Sequence, residues 1–284
     1  MIDPLVVEEL IDSALAEDIG FADITSELVI PADARAELAL NARQDIVLAG
    51  IDVAAQAFRR RAPGCAIELR VKDGDRVAAG TAMGRIAGPA RALLAVERTA
   101  LNFLQHLSGI ATLTAQYVER IAGTRAVLID TRKTTPGLRA LEKHAALLGG
   151  ARNHRLRLDD GVLIKDNHIC VCGSIAAAVQ RARAGVPVLT KIEVECDTLD
   201  QVKEALACGA DMIMLDNMTV EELRRAVAFS AGRVPLEASG GVRLETVRAI
   251  AETGVDFISV GRITQSAPAV DIGLDAVISP SGRA

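Results

Sequence analysis

Six short apolar runs in this 284-residue chain each lead into residues that could do chemistry. AVLI (126–129) is followed by Arg132 and Lys133, and GVLI (161–164) by Lys165, Asp166 and His168. Glu193 and Glu195 sit at the end of LTKIEV (189–194) and just beyond it. Asp216–Asn217 follows MIML (212–215), Ser239–Gly240–Gly241 follows VPLEA (234–238), and Gly261–Arg262 ends FISV (257–260). Asn153–His154–Arg155 lies on a connection after Gly149–Gly150. Cations come first and acids later. Arg forks and Lys ammonium groups hold carboxylates and phosphates. Two acids could hold Mg²⁺ or act on ribose hydroxyls. Glycines at the last strand ends would let backbone N–H groups close on a phosphate.

The cations are also concentrated. Residues 130–168 hold eight of the 32 Lys and Arg and three of the four His, in a chain of net charge −5. An acidic protein that gathers positive charge into one segment is building a pocket for a small, highly charged anion. Any one strand-end Lys or Glu could simply pair with a neighbour; agreement across six strand ends carries the argument. His106 and His144 read as surface or packing residues, whereas His154 and His168 lie beside cations. Glu97–Arg98 are charges in apolar company, and the residues alone do not decide between a solvated helix edge and an Arg presented to a ligand or neighbouring subunit.

Positioning these residues requires particular elements. Residues 4–17 read as an amphipathic helix, with Leu5, Val6, Leu10 and Ile11 on one side. From about 36 to 88 the pattern is short strands (ELALNA, IVLAG, AIELRV, TAMGRIAG). DGDRVAAGTAMGRIAG resembles the hairpin of biotinyl and lipoyl carrier domains but lacks the modifiable Lys, so it reads as a scaffold hairpin. Residues 90–121 read as helix with a break or kink at Ser108–Gly109. Beyond 125, strands alternate with helices such as 198–208, 219–231 and 244–253, which specifies a parallel sheet and, at this number, a barrel. VDIGLDAVI (270–278) alternates again and reads as a strand returning to the first domain.

Composition excludes several classes. Half the residues are hydrophobic, ample for a sizeable core, with no Trp, one Tyr and five Phe. Few aromatics, an acidic balance and no basic stripe argue against nucleic acid. The five Cys are odd in number and form no C-x-x-C pair, and read as small buried hydrophobes in a reducing compartment. Residues 99–118 lack Asp, Glu, Lys and Arg, but Asn102, Gln105, His106 and Ser108 argue for buried helix rather than a membrane span. No export signal is seen, and the cytoplasm is the expected location.

The ordered segments LAEDIGFADITS, ERTALNFLQHLSGIAT, LIDTRKTTPGLRALEKHA, NHR, LIKDNHI, KIEVE, MIMLDNM, PLEASGGV and GVDFISVG resemble the quinolinate phosphoribosyltransferase family over nearly the whole chain. The resemblance implies an α/β fold: an N-terminal α/β sandwich (1–110, joined by 266–284) and an incomplete, TIM-like α/β barrel (111–265). It implies phosphoribosyl transfer from 5-phosphoribosyl-1-pyrophosphate to quinolinate with decarboxylation, giving nicotinate mononucleotide, with Mg²⁺. Lys133, Lys165, Glu195 and Asp216 would be catalytic, with Glu195 and Asp216 near the metal. Arg132, His154, Arg155, Lys165 and His168 would bind substrate, with Arg98 reaching across a homodimer or higher oligomer into the neighbouring site. Ser239, Gly240, Gly241, Gly261 and Arg262 would take the 5-phosphate. Three positions depart from the common family pattern: Ala151 and Arg157 stand where Gly is frequent, and Gln265 where a phosphate-contacting His is common.

Two other readings compete. An aldolase-like barrel would use Lys133, Lys165 or Lys191 as a Schiff-base nucleophile, which calls for a desolvated Lys in an apolar pocket. A non-catalytic paralogue would bind an oxyanion or nucleotide, although the chain keeps the KDNH and EVE elements that such relatives tend to lose.

Overall fold

A computed structural model describes residues 3–277. In chain order they form α1 (Pro4–Ile19), α2 (Ile24–Val29), β1 (Arg35–Ala42), β2 (Ile46–Val47), α3 (Ile51–Arg61), β3 (Ala66–Leu69), β4 (Arg76–Val77), β5 (Ala82–Pro89) and α4 (Ala90–Arg120). There follow β6 (Val127–Ile129), α5 (Arg139–Leu148), β7 (Val162–Ile164), α6 (Asp166–Cys172), α7 (Ile175–Gly185), β8 (Ile192–Cys196) and α8 (Leu199–Ala207). The remainder is β9 (Met212–Asp216), α9 (Val220–Ser230), β10 (Leu236–Ser239), α10 (Val247–Ala251), β11 (Phe257–Ser259), α11 (Arg262–Gln265) and β12 (Ile272–Ala276). Local chemistry sets many of these ends. Asp3 caps α1 ahead of Pro4, and Thr198–Gln201 and Thr219–Glu222 form capping boxes on α8 and α9.

Two compact units emerge. The first comprises 1–113, 135–149 and 266–284, as far as these are described. Its main sheet has the order β12-β1-β5-β3, antiparallel throughout. The returning tail is β12, which pairs with β1 from Leu38↔Ala276 to Ala42↔Ile272; Ile278, the last residue of the expected strand, lies outside the described residues.

Three expectations need correction here. The scaffold hairpin does not form, because β4 pairs with β2 in a two-stranded sheet while β5 pairs with β1 and β3. The break at Ser108–Gly109 is absent and α4 is one helix of 31 residues. The reason is packing. Ser108 is fully buried, accepting from Ala49 N at 3.0 Å and donating to Ala49 O at 3.1 Å. Gly109 lies so close to Pro268 that a Cβ would strike its carbonyl oxygen. The glycine allows a close approach and does not end the helix. Thirdly, α5 clusters with the first unit, although on the sequence it falls inside the barrel.

The second unit, 114–134 and 150–265, is built on a parallel six-stranded sheet ordered β6-β11-β10-β9-β8-β7. Strands β7 to β11 follow one another and β6 closes onto β11, the order of a ring cut between its first and second strands. The cut is partly bridged. Arg152 makes a parallel bridge with Ile129, accepting from Asp130 N at 3.1 Å and donating to Leu128 O at 2.9 Å. All five residues of β8 (IEVEC) are buried, as parallel strands covered on both faces are. Among the described residues, no helix is long and apolar enough to cross a membrane.

All five Cys are free, but only Cys196 is buried and Cys170 is exposed, which corrects the reading of them as buried hydrophobes.

Candidate active site

Strands in a βα barrel point their C-terminal ends at one mouth. Lys165 follows β7, Glu195 is near the end of β8, Asp216 ends β9, Ser239 ends β10, and Gly261–Arg262 follows β11. Lys165 Nζ is ion-paired with Glu195 Oε2, and Glu195 is 8 % exposed. Asp216 Oδ2 accepts from Asn217 Nδ2 at 2.5 Å. Asn217 N donates to Ser239 O at 3.0 Å, joining the ends of β9 and β10. Gly240 has φ +90°, and a Cβ there would overlap the Asn217 side chain, so only glycine fits this turn. Lys133 belongs to the same end, because Thr264 Oγ1 in α11 donates to its carbonyl at 2.7 Å.

Arg155 and Arg132 are held differently. Arg155 Nη1 donates to Gly161 O at 2.9 Å, across the cut in the ring. Burial, and then the like charge of Arg132, push the Arg155 guanidinium below its ordinary value. Arg132 Nε is buried without a hydrogen-bond partner. A buried guanidinium N–H left unused on Arg132 is a donor that an anion would satisfy.

The two histidines differ. Lys165 N donates to His168 Nδ1 at 2.9 Å, which leaves the His168 proton on Nε2 in an exposed ring. His168 can therefore donate outwards. Arg155 N donates to His154 Nδ1 at 2.8 Å, and His154 Nε2 lies 2.8 Å from Glu193 Oε2 and 3.5 Å from Glu237 Oε2. Both ring nitrogens of His154 are thus taken by the protein. The sequence points to His154 as a substrate contact; in the structure its two ring nitrogens lie against Arg155 N and the Glu193–Glu237 carboxyl pair.

His154, Glu193 and Glu237 offer ligand atoms within 4.8 Å of one another, the spacing of a metal site. The His154 hydrogen bonds argue against that use. A neutral imidazole that accepts at Nδ1 keeps its proton on Nε2, and a protonated nitrogen cannot ligate a metal. A cavity of about 330 Å³ reaches His154 and Glu193 past Val162, Met212 and Phe257, the first residues of their strands.

The dense cation segment is divided between the two units. Arg139 and Lys143 fall in the first unit, and Lys143 is 1 % exposed. Arg157 is exposed and lies 3.3 Å from Asp159. Arg98 is exposed on α4, also in the first unit. His106 Nε2 is 2.8 Å from Glu142 Oε1, a packing role within that unit. Sequence reasoning overlooked Asp130, fully buried, which accepts from His154 N at 2.8 Å and Asn153 Nδ2 at 2.6 Å. It also overlooked Glu237. An acid inside an apolar run such as VPLEA was the available signal, because a charge in a strand covered on both faces must serve something.

Comparison with known proteins settles the family. Residues 23–108 match the family model described as "Quinolinate phosphoribosyl transferase, N-terminal domain", and 110–275 match its "C-terminal domain" counterpart. The chain belongs to the quinolinate phosphoribosyl transferase family. It is 40 % identical over 275 residues to a probable nicotinate-nucleotide pyrophosphorylase [carboxylating] of Bacillus subtilis, covering 97 % of this chain and 95 % of that protein. A Mycobacterium leprae nicotinate-nucleotide pyrophosphorylase [carboxylating] is 42 % identical, with 94 % and 96 % covered. Among solved structures, the Francisella tularensis nicotinate-nucleotide pyrophosphorylase aligns with a TM-score of 0.93 at 39 % identity over 98 % of both chains. The Ehrlichia chaffeensis enzyme gives 0.92 at 43 % identity, covering 95 % and 98 %. The two-domain α/β architecture of this chain is that of the family.

Proposed function

We propose that this protein transfers the phosphoribosyl group of 5-phosphoribosyl-1-pyrophosphate to quinolinate with loss of CO₂, yielding nicotinate mononucleotide and pyrophosphate. The observation that carries the reading is the Lys165–Glu195 ion pair on neighbouring strand ends, with Asp216, Ser239 and Gly261–Arg262 at the ends of the strands that follow. Quinolinate brings two carboxylates to Arg132, Arg155 and Lys165, and the exposed His168 N–H is a further donor. A Schiff-base role is disfavoured, since Lys133 and Lys191 are exposed and Lys165 is ion-paired.

In the transfer, the C1–oxygen bond of the ribose breaks with its electron pair leaving on pyrophosphate, and the pyridine nitrogen captures C1. The resulting pyridinium accepts the pair from the bond to the adjacent carboxylate, CO₂ departs, and the ring carbon takes up a proton. Alignment and placed charge supply most of the rate. Arg132, Arg155 and Lys165 fix the pyridine acid, Lys133 faces the pyrophosphate, and the backbone of Ser239–Gly240–Gly241 and Gly261, with Arg262, receives the 5-phosphate.

Glu195 and Asp216 each give an oxygen to a neighbour and keep hard oxygen donors on adjacent strands β8 and β9. Such a pair suits Mg²⁺ held jointly with phosphate oxygens, where the ion would neutralise the departing pyrophosphate. The working form is a homodimer or larger assembly in which Arg98 serves the neighbouring site. Exposed Phe21, Ile24, Leu28 and Val29 in the first unit support such an assembly, since clustered apolar surface favours association. Five free thiols suit a reducing compartment such as the cytoplasm.

The deciding assay follows CO₂ release and nicotinate mononucleotide formation from quinolinate, with nicotinate as the rival acceptor. Consumption of nicotinate but not quinolinate would overturn the reading. Quinolinate binding without turnover would favour a non-catalytic paralogue.

A further inference from the structure

Two buried carboxyl groups have no part in the chemistry described so far. Glu237, second residue of β10, is 0 % exposed, and its oxygens have no well-aligned hydrogen bond, although Ser259 and Glu193 lie against it and His154 Nε2 is 3.5 Å away. Glu193 is 5 % exposed, and its Oε1 is likewise without a partner. Two ionised carboxylates this close inside a low-dielectric core would repel each other and forfeit their hydration. A metal ion at Nε2 is incompatible with the His154 tautomer, so a proton is the remaining source of compensation. Burial, and then the charge of Glu193, push Glu237 well above the usual carboxylate range.

We propose that Glu237 is a positioning residue: with Glu193 it holds the His154 ring in one orientation and, through that ring, sets Arg155 for a substrate carboxylate. The links are short and consecutive. His154 Nε2 faces the carboxyl pair, Nδ1 accepts from the Arg155 main chain at 2.8 Å, and the Arg155 guanidinium reaches Gly161 O at 2.9 Å. Asp130 fixes the same segment from the main-chain side, at His154 N and Asn153 Nδ2. As a neutral acid, Glu237 can turn an O–H towards Glu193 and leave that carboxylate to accept from His154. A Gln side chain can do the same with its amide.

This inference rests on Arg155 as a receptor for quinolinate, and one of its two tests is independent of turnover. In ¹⁵N-resolved imidazole spectra of the full chain, whose four His keep assignment tractable, His154 should be the Nε2–H tautomer. In kinetics, Glu237→Gln should keep both KM values and kcat within about threefold, whereas Glu237→Leu should raise KM for quinolinate by roughly tenfold or more. Glu237→Leu should leave KM for phosphoribosyl pyrophosphate in place and move the His154 resonances. An Nδ1–H tautomer, one equivalent of zinc bound by the wild type and lost in Glu237→Gln, or a Gln variant that loses quinolinate affinity would each overturn the proposal. So would a folded Glu237→Leu protein with unchanged KM for quinolinate. A wild type inactive on quinolinate yet showing the Nε2–H tautomer would fault the assigned substrate and not the positioning.

Discussion

Lys165 and Glu195 neutralise each other across the ends of β7 and β8, with Glu195 almost out of solvent. Removing the cation alone strands a buried carboxylate and also deletes a proposed receptor for substrate. Lys165→Ala should therefore lower kcat/KM by at least about a hundredfold, the equivalent of about 3 kcal/mol of transition-state stabilisation. Steady-state kinetics with both substrates measures this; a loss under about threefold would detach Lys165 from the reaction.

Hard oxygen donors at Glu195 and Asp216 predict dependence on a divalent ion. Chelation with EDTA should abolish turnover, and Mg²⁺ should restore it. Asp216→Asn should raise the Mg²⁺ concentration needed for half-maximal rate by roughly tenfold or more, because a carboxylate contributes more to a hard cation than an amide does. Activity that survives exhaustive chelation would refute the assignment.

Arg98 and Lys133 lie in different units of the chain. If Arg98 serves a neighbouring subunit, Arg98→Ala and Lys133→Ala should each be inactive as homomers and regain part of the activity when mixed. Co-refolded mixtures assayed against each parent give the answer. No recovery in confirmed hetero-oligomers would place both residues in one subunit's site.

Gly109 should not tolerate a side chain. A Cβ there would strike the Pro268 carbonyl, so Gly109→Ala should destabilise by about 1–3 kcal/mol despite the better helix propensity of Ala. Chemical denaturation reads the difference. A stabilised variant would show that the contact is loose.

Burial pushes the Cys196 thiol up to about 12, from an ordinary value of 9.0. The protonated thiol is favoured by folding, so this contribution is fully present below pH 9 and is lost as pH rises towards 12. Stability should fall over that window, less steeply in Cys196→Ala. At pH 8 a thiol reagent should label exposed Cys170 quickly and Cys196 only on unfolding. Equal labelling rates in the native protein would contradict the burial.

Much of the barrel is legible in the sequence because each strand is a bounded apolar run with polar residues immediately after it. That pattern gives the strand ends at Lys165, Asp216 and Ser239. It fails where tertiary contacts override local cues. Ser108–Gly109 resembles a helix break, yet Ala49 and Pro268 hold it within α4. Helix α3 is hidden in a strand-rich segment, and its N-cap, Gly50, offers no side-chain cap. Within the cation-rich segment, Arg139 and Lys143 look equivalent to Arg155, but chain connectivity carries them into the other unit. Nor does the sequence show which histidine nitrogen holds a proton. That depends on main-chain donors at Lys165 and Arg155, which exist only once the chain is folded.

Arg152 hydrogen-bonds to β6 as a seventh strand would, yet it lies in a connecting segment. Arg155, the proposed anion receptor three positions later, thus starts from an anchored base, which gives a surface turn the stiffness of sheet. Lengthening the chain between Arg152 and Gly161 would slacken that grip before it disturbed any neighbouring β-ladder.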